Sequence, residues 1–88
     1  MPYITEPKRL QFKPIVKSFE QNVNKSATAG DLNYLVTKLI LRYLEVHELS
    51  YATINDIRGS LENAASEFYR RIAAPYEDVK IKQNGDVF

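Results

Sequence analysis

The chain contains no cysteine and only one histidine in 88 residues. The lack of cysteine excludes a disulfide framework, thiolate-bound metals and cysteine nucleophiles. The single histidine, His47, excludes a metal site with several histidine ligands and any mechanism that needs two histidines. The formal net charge is only +1, so the chain lacks the positive excess that drives non-specific binding to polyanions.

Recognisable catalytic motifs and membrane segments are also missing. We find no Gly-rich phosphate loop, no nucleophile elbow and no metal-ligand spacing. We therefore predict a protein that is not an enzyme and that uses no cofactor or metal. The N-terminal residues 1–13 have no apolar signal core. The most apolar stretch, residues 32–49, carries four charged side chains and is too polar to span a bilayer. We expect a cytoplasmic protein that does not contact the membrane.

What is present favours one small all-α domain that covers residues 1–88. Hydrophobic residues make up 44% of the chain and charged residues 26%, which is typical of globular proteins. Apolar residues recur at helical spacing in three segments. These patterns predict helices over residues 14–24, 31–47 and 52–74, followed by a tail over residues 75–88.

The second predicted helix is apolar around most of its circumference. Its main stripe is Leu32, Val36, Leu39, Tyr43 and Val46, and the apolar residues outside that stripe are Tyr34, Leu41 and Leu44. A helix of this kind is normally surrounded by protein on all sides. Two neighbouring helices of so short a chain cannot cover it. We therefore predict that this helix is central in a homo-oligomer.

The third predicted helix begins near Ser50 or Thr53, both of which are favourable N-cap residues. The proline of Ala74-Pro75 is expected to end or kink it. Asn84-Gly85 fits the end of a short helix, but it is also a strong hairpin turn. We favour a short helix with an extended end. The expected core stripe of the third helix is Ile54, Ile57, Leu61, Ala64, Phe68 and Ile72.

One face of the third predicted helix is the candidate ligand-binding site. Four residues spaced by four, four and three positions, from Gly59 to Arg70, share this face of the helix, and two further residues border it. A glycine inside a helix costs about 1 kcal/mol relative to alanine, which suggests that something approaches the backbone closely there. Either another helix packs on this face, or the face binds an anionic, nucleotide-like ligand through arginine and a stacking tyrosine. The face consists of Gly59, Asn63, Glu67 and Arg70, bordered by Tyr69 and Arg71.

Two further clusters have weaker functional interpretations. The acidic segment Pro75-Tyr76-Glu77-Asp78 could bind a cation or act in acid–base chemistry, but such residues more often cap a helix. The basic residues Lys8, Arg9, Lys13 and Lys17 could contact nucleic acid, although Pro14 interrupts their helical spacing. His47 ends the second predicted helix, where the helix dipole favours a cation.

Several sequence blocks resemble a family of small uncharacterised proteins from tailed bacteriophages and some bacteria. The blocks are Met1-Pro2-Tyr3-Ile4, Gly30-Asp31-Leu32-Asn33-Tyr34, Glu67-Phe68-Tyr69-Arg70-Arg71, Ala74-Pro75-Tyr76-Glu77-Asp78 and Asn84-Gly85-Asp86-Val87. The resemblance implies a phage setting and no established activity. Phages also encode small oligomeric proteins that sequester nucleotide signals of host immunity, and this chain is similar to them in size and helical content only.

These observations lead to three functional hypotheses. The first is a non-enzymatic protein that binds a small anionic, nucleotide-like ligand and withholds it from the host. The second is a protein-interaction module that inhibits or redirects a host protein. The third is a nucleic-acid binder that uses the N-terminal basic residues.

Overall fold

A computed structural model describes residues 3–88 of the chain. Met1 and Pro2, which belong to the first of the sequence blocks above, lie outside the described residues. The predicted all-α class is confirmed, since residues 3–88 contain helices and no strand. The elements are α1 (Glu6–Gln11), α2 (Lys13–Asn22), α3 (Ala29–His47), α4 (Tyr51–Phe68), a π turn (Tyr69–Ala73) and α5 (Ala74–Asn84).

The chain divides into two compact units, Met1–Thr37 and Lys38–Phe88, where the sequence analysis predicts a single domain. The first unit contains α1, α2 and the first half of α3. The second unit contains the remainder of α3 together with α4, the π turn and α5. The candidate ligand-binding face therefore belongs to the second unit alone.

The N-terminal segment forms two short helices. Each has a proline in its first turn, Pro7 in α1 and Pro14 in α2. Proline is well suited to this position, because its missing N–H would have no partner there anyway. Phe12 separates the helices, and its backbone N–H donates to the Arg9 carbonyl at 3.1 Å. The helix predicted over residues 14–24 thus ends at Asn22 and has a separate helix before it.

Helix α3 begins with a reciprocal cap. The backbone N–H of Thr28 donates to the Asp31 carboxylate at 2.9 Å, and the backbone N–H of Asp31 donates to the Thr28 hydroxyl at 3.2 Å. Each bond satisfies an N–H group that the helix itself leaves unpaired. The helix ends at His47, and Glu48 follows with a left-handed backbone at φ 65°. The predicted range of 31–47 is therefore close to that of α3.

Ser50, the first of the two predicted cap residues, is the N-cap of α4. The Ser50 hydroxyl accepts a hydrogen bond from the backbone N–H of Thr53 at 3.1 Å, as an N-cap side chain does. Thr53 is 4% exposed. Its own hydroxyl lies 3.1 Å from that of Ser50, so the buried polar group has a partner.

Ala74-Pro75 was expected to end or kink the helix, and the structure shows that it does not end the helical backbone. The backbone continues from α4 through a π turn into α5. Proline at position 75 cannot donate to the carbonyl of residue 71, and its ring crowds that carbonyl in a regular α-helix. The π turn lies directly before it, with the Ala74 N–H bonded to the carbonyl of Tyr69, five residues back. One extra residue in the turn accommodates the proline without ending the helix.

The tail is helical up to Asn84, which agrees with the short helix favoured above. The next residue, Gly85, has φ 85° and ψ 154°, a backbone region that essentially only glycine adopts. Its N–H donates to the Ile81 carbonyl at 2.8 Å. The residues after Gly85 have no regular structure, and no hairpin forms.

The predicted core stripes are not buried within one copy of the chain, so that prediction is wrong for an isolated chain. No hydrophobic side chain of the described residues is buried. In α3, the half-buried positions are Val36, Ile40 and Leu44, of which only Val36 belongs to the predicted stripe. In the stripe of α4, Ile57 alone is half-buried. No helix within residues 3–88 combines the length and hydropathy that a bilayer span requires.

Candidate functional site

Three of the predicted site residues form one ion-pair cluster at the junction of α4 and the π turn. Glu67 accepts hydrogen bonds from Arg70 and from Arg71, each at 2.8 Å and each on the same carboxylate oxygen, Oε2. The side chain of Glu67 is 27% exposed, whereas those of Arg70 and Arg71 are 64% and 56% exposed. The carboxylate therefore lies beneath two guanidinium groups that face solvent.

The electrostatics of this cluster follow from its charges. The hydrogen bond from Arg70 is the largest cause of a pKa of Glu67 below its ordinary value; burial opposes this shift, and the hydrogen bond from Arg71, a smaller effect than burial, lowers the pKa further. Glu67 is consequently a carboxylate at neutral pH. One negative charge facing two positive charges leaves the cluster with an excess of one positive charge.

The cluster keeps hydrogen-bonding capacity for a further anion. A guanidinium group has five N–H donors in a planar fork that matches carboxylate and phosphate oxygens. Glu67 accepts through one nitrogen of each arginine, Nη2 of Arg70 and Nε of Arg71. The remaining donors are on exposed groups. Chemically, the arrangement suits recognition of an anion and offers no nucleophile paired with a base.

Tyr69 is held by a contact that the sequence analysis did not predict. Its hydroxyl donates to Glu77 of α5 at 3.3 Å. The negative charge of Glu77 and this hydrogen bond raise the pKa of Tyr69, so the phenol stays neutral. Its side chain is more than half exposed, which leaves ring surface for stacking. The sequence signal was the acidic pair after Pro75, which we interpreted as a helix cap.

The other two predicted site residues lie on earlier turns of α4. A methyl group added at Gly59 would have no atom of another part of the chain within 4 Å. The expected close approach to the Gly59 backbone is therefore not made by the chain itself. Asn63 is exposed and lies one turn before Glu67. The structure thus brings Glu67, Arg70 and Arg71 together and leaves the surface next to Gly59 open.

A second cluster links α3 to α4. The hydroxyl of Tyr43 donates to the Asp56 carboxylate at 3.0 Å, and the Tyr43 ring lies 4.2 Å from the ring of His47 between centroids. The hydrogen bond to Asp56 is the main cause of a raised pKa for Tyr43. The spacing of four residues places Tyr43 next to His47. Nothing in the sequence connects either of them with Asp56, which is 13 residues from Tyr43.

Two of the basic residues near the N-terminus have local partners. The Lys8 ammonium lies 5.7 Å from the centre of the Phe12 ring, and the Arg9 guanidinium donates to the Ile4 carbonyl at 3.0 Å. Two of the four basic residues therefore contact their own segment. A groove of about 560 Å³ lies in the first unit, where the loop after α2 meets the start of α3, and its lining includes Val23, Leu32 and Tyr34. Leu32 and Tyr34 belong to the block Gly30-Asp31-Leu32-Asn33-Tyr34, to which the sequence assigned no function.

Comparison with known families places the chain in one of them. Residues 1–87 match a family model described as a domain of unknown function, DUF6899, so the chain belongs to that family. No curated protein and no solved structure matches the chain.

Proposed function

We propose that this member of a family of unknown function is a non-enzymatic binding protein that acts as a homo-oligomer and binds a small anionic, nucleotide-like ligand. The binding surface is the ion-pair cluster of Glu67, Arg70 and Arg71 together with the ring of Tyr69. One observation carries the proposal: a single carboxylate orients two exposed guanidinium groups at 2.8 Å and neutralises only one of them.

Each part of a nucleotide has a counterpart in this surface. The free donors of Arg70 and Arg71 suit the oxygens of a phosphate, because guanidinium binds phosphate in a bidentate manner. The ring of Tyr69 offers a surface on which a base can stack. Gly59 has no side chain and Asn63 has a short one, so a ligand can lie close to the backbone of α4 on the turns before this cluster.

The biological role that we propose is sequestration. The sequence blocks resemble those of small phage proteins, and a phage gains if a host immune signal is withheld from its receptor. In this proposal the protein acts in the host cytoplasm, without chemistry on the ligand, and at stoichiometric rather than catalytic amounts.

Isothermal titration calorimetry against cyclic nucleotides, ADP-ribose and inorganic phosphate tests the ligand proposal. We expect a nucleotide to bind and Arg70→Ala or Arg71→Ala to weaken it by tenfold or more, since each substitution removes a charge-assisted contact. Arg58→Ala is the matched control, because Arg58 is an exposed arginine of α4 that pairs with Glu62 at 3.8 Å. Absence of binding across the panel, or an equal loss in the Arg58 variant, contradicts the proposal.

Homo-oligomerisation is proposed from the exposure of the hydrophobic side chains. The described residues bury no hydrophobic side chain. Burial of apolar surface is the main favourable term in folding, and a second copy that covers part of these side chains supplies it. Sedimentation equilibrium measures the mass directly, and a monomer at high concentration contradicts this part of the proposal.

The same exposure favours a second candidate, a module that docks on a host protein. Tyr51 is among the most exposed aromatic side chains of the described residues, and tyrosine is enriched at protein interfaces. A pull-down from host lysate is expected to return one stoichiometric partner. In that case Tyr51→Ala reduces capture, and Arg70→Ala leaves it unchanged.

A further inference from the structure

The end of α5 places a reactive dipeptide in contact with solvent. Asn84 is the last residue of α5, and Gly85 follows it with φ 85° and ψ 154°. Both residues are exposed. A Cβ atom built on Gly85 would have no other part of the chain within 4 Å, and the residues after it are exposed and have no regular structure. Water therefore has access to this dipeptide.

The side-chain amide of an asparagine is chemically labile, because the backbone nitrogen of the next residue can attack it. Here the nitrogen of Gly85 would form a bond to Cγ of Asn84, and the bond between Cγ and Nδ2 would break. Ammonia leaves and carries away the proton that the Gly85 nitrogen loses, and a five-membered succinimide ring remains. Water then opens the ring at one of its two carbonyl carbons. The product is aspartate if the new bond breaks, and isoaspartate if the original peptide bond breaks.

Glycine at position 85 removes the steric obstacle to this reaction. The attacking nitrogen belongs to residue 85, so a side chain on that residue would crowd its approach to Cγ. Glycine has no Cβ and reaches backbone conformations that other residues avoid. The ring can therefore close at Asn84 with less strain than at an asparagine that precedes a larger residue.

One hydrogen bond opposes the reaction in the folded chain. The N–H of Gly85 donates to the Ile81 carbonyl at 2.8 Å, and the nitrogen cannot attack Cγ while this bond holds it. The bond belongs to the last turn of α5, and helix ends fray. Opening of a fraying end requires far less free energy than global unfolding. The nitrogen is therefore released repeatedly without unfolding of the chain.

The other asparagines lack this combination of features. Asn22 is the closest match, since it is exposed and ends α2. Its side-chain amide, however, donates to the Ser18 carbonyl at 2.8 Å, and the next residue, Val23, is β-branched. All the remaining asparagines also precede residues that carry a side chain, in the pairs Asn24-Lys25, Asn33-Tyr34, Asn55-Asp56 and Asn63-Ala64.

We propose that Asn84 is a site of spontaneous deamidation and that it reacts in the folded protein before any other asparagine of the chain. Either product places a carboxylate at the C-terminal end of α5, where the helix dipole disfavours negative charge. Isoaspartate also adds one carbon atom to the backbone between residues 84 and 85, which displaces the Gly85 N–H from the Ile81 carbonyl. The end of α5 consequently loosens as the protein ages.

Incubation of the full chain in mildly alkaline buffer, followed by peptide mapping with tandem mass spectrometry, tests the proposal. We expect Asn84 to gain the mass difference between OH and NH₂ while Asn22 stays unchanged. Incubation in guanidinium chloride should accelerate the reaction at Asn84, because the Gly85 N–H then no longer donates to Ile81. A reaction that is no faster at Asn84 than at Asn22 in the folded chain overturns the proposal.

Gly85→Ala separates the chemistry of the glycine from the fraying of the helix end. We expect this variant to deamidate at Asn84 more slowly by roughly tenfold or more, because the methyl group crowds the attacking nitrogen. The substitution also strains the end of α5, and strain alone would release the nitrogen more often and raise the rate. An unchanged or faster reaction in Gly85→Ala therefore overturns the proposal.

Discussion

Replacement of Gly59 by alanine gives a test in which the structure fixes the sign. Gly59 lies inside α4, and the added methyl group would have no other part of the chain within 4 Å. Glycine in a helix interior is less favourable than alanine by about 0.8–1 kcal/mol, because it loses more backbone entropy on folding. The substitution therefore stabilises the protein unless something outside the chain lies against this surface.

The expected gain is measurable in a chain of this length. For a domain of 60–100 residues, 1 kcal/mol shifts Tm by roughly 4–8 °C. We therefore expect Gly59→Ala to raise Tm by several degrees in thermal melts followed by circular dichroism. Protein concentration must be held fixed, because the Tm of an oligomer depends on it.

Gly85→Ala is the matched control with the opposite sign. Gly85 has φ 85° and ψ 154°, and a side chain in this region costs about 1–3 kcal/mol. The same chemical change is therefore expected to lower Tm at residue 85 and to raise it at residue 59. A fall in Tm for Gly59→Ala refutes the reasoning and means that another molecule packs against Gly59.

Three further substitutions address single contacts. Ser50→Ala removes the N-cap of α4 and should cost about 1 kcal/mol in denaturant unfolding, whereas Ser60→Ala on the exposed side should be nearly neutral. Glu67→Gln removes a carboxylate with a lowered pKa. The stabilisation from the ionised Glu67 is fully present above the ordinary pKa of glutamate and is lost as pH falls through the lowered pKa. Wild-type Tm should therefore exceed that of the variant at neutral pH, and the difference should vanish at low pH. Tyr43→Phe removes a phenol with a raised pKa. The stabilisation that the neutral phenol gives is present below the ordinary pKa of tyrosine and is lost as pH rises through the raised pKa. An ultraviolet pH titration of the wild type should show one tyrosine that ionises late, and the variant should lack this ionisation.

Local signals in the sequence predicted the helices well wherever a cap or stop is encoded nearby. Ser50 begins α4, and Asn84-Gly85 ends α5. These signals act within a few residues along the chain, which is why a single sequence reveals them. Glu67, Arg70 and Arg71, three of the candidate residues, contact each other for the same reason, since helical spacing alone places them together.

Burial could not be predicted in this way. Periodicity tells which residues share a face of a helix, but not whether a neighbour within the same chain covers that face. Leu39 was assigned to a core stripe and is well exposed, whereas Leu44 was placed outside it and is half-buried. The partner of Tyr43 was missed for a related reason, because Asp56 reaches it only through the placement of α4 next to α3.

Pro75 connects the unpredicted part of the fold with the candidate site. Residues 69 and 77 are eight apart, and in a regular α-helix they would point about 80° away from each other. A turn with one extra residue makes eight residues close to two full turns. The π turn before Pro75 therefore places the Tyr69 hydroxyl above Glu77, 3.3 Å from its carboxylate. The proline that was expected to end or kink the helix is preceded by a turn that aligns α5 with the end of α4, and the orientation of Tyr69 beside Arg70 and Arg71 depends on that alignment.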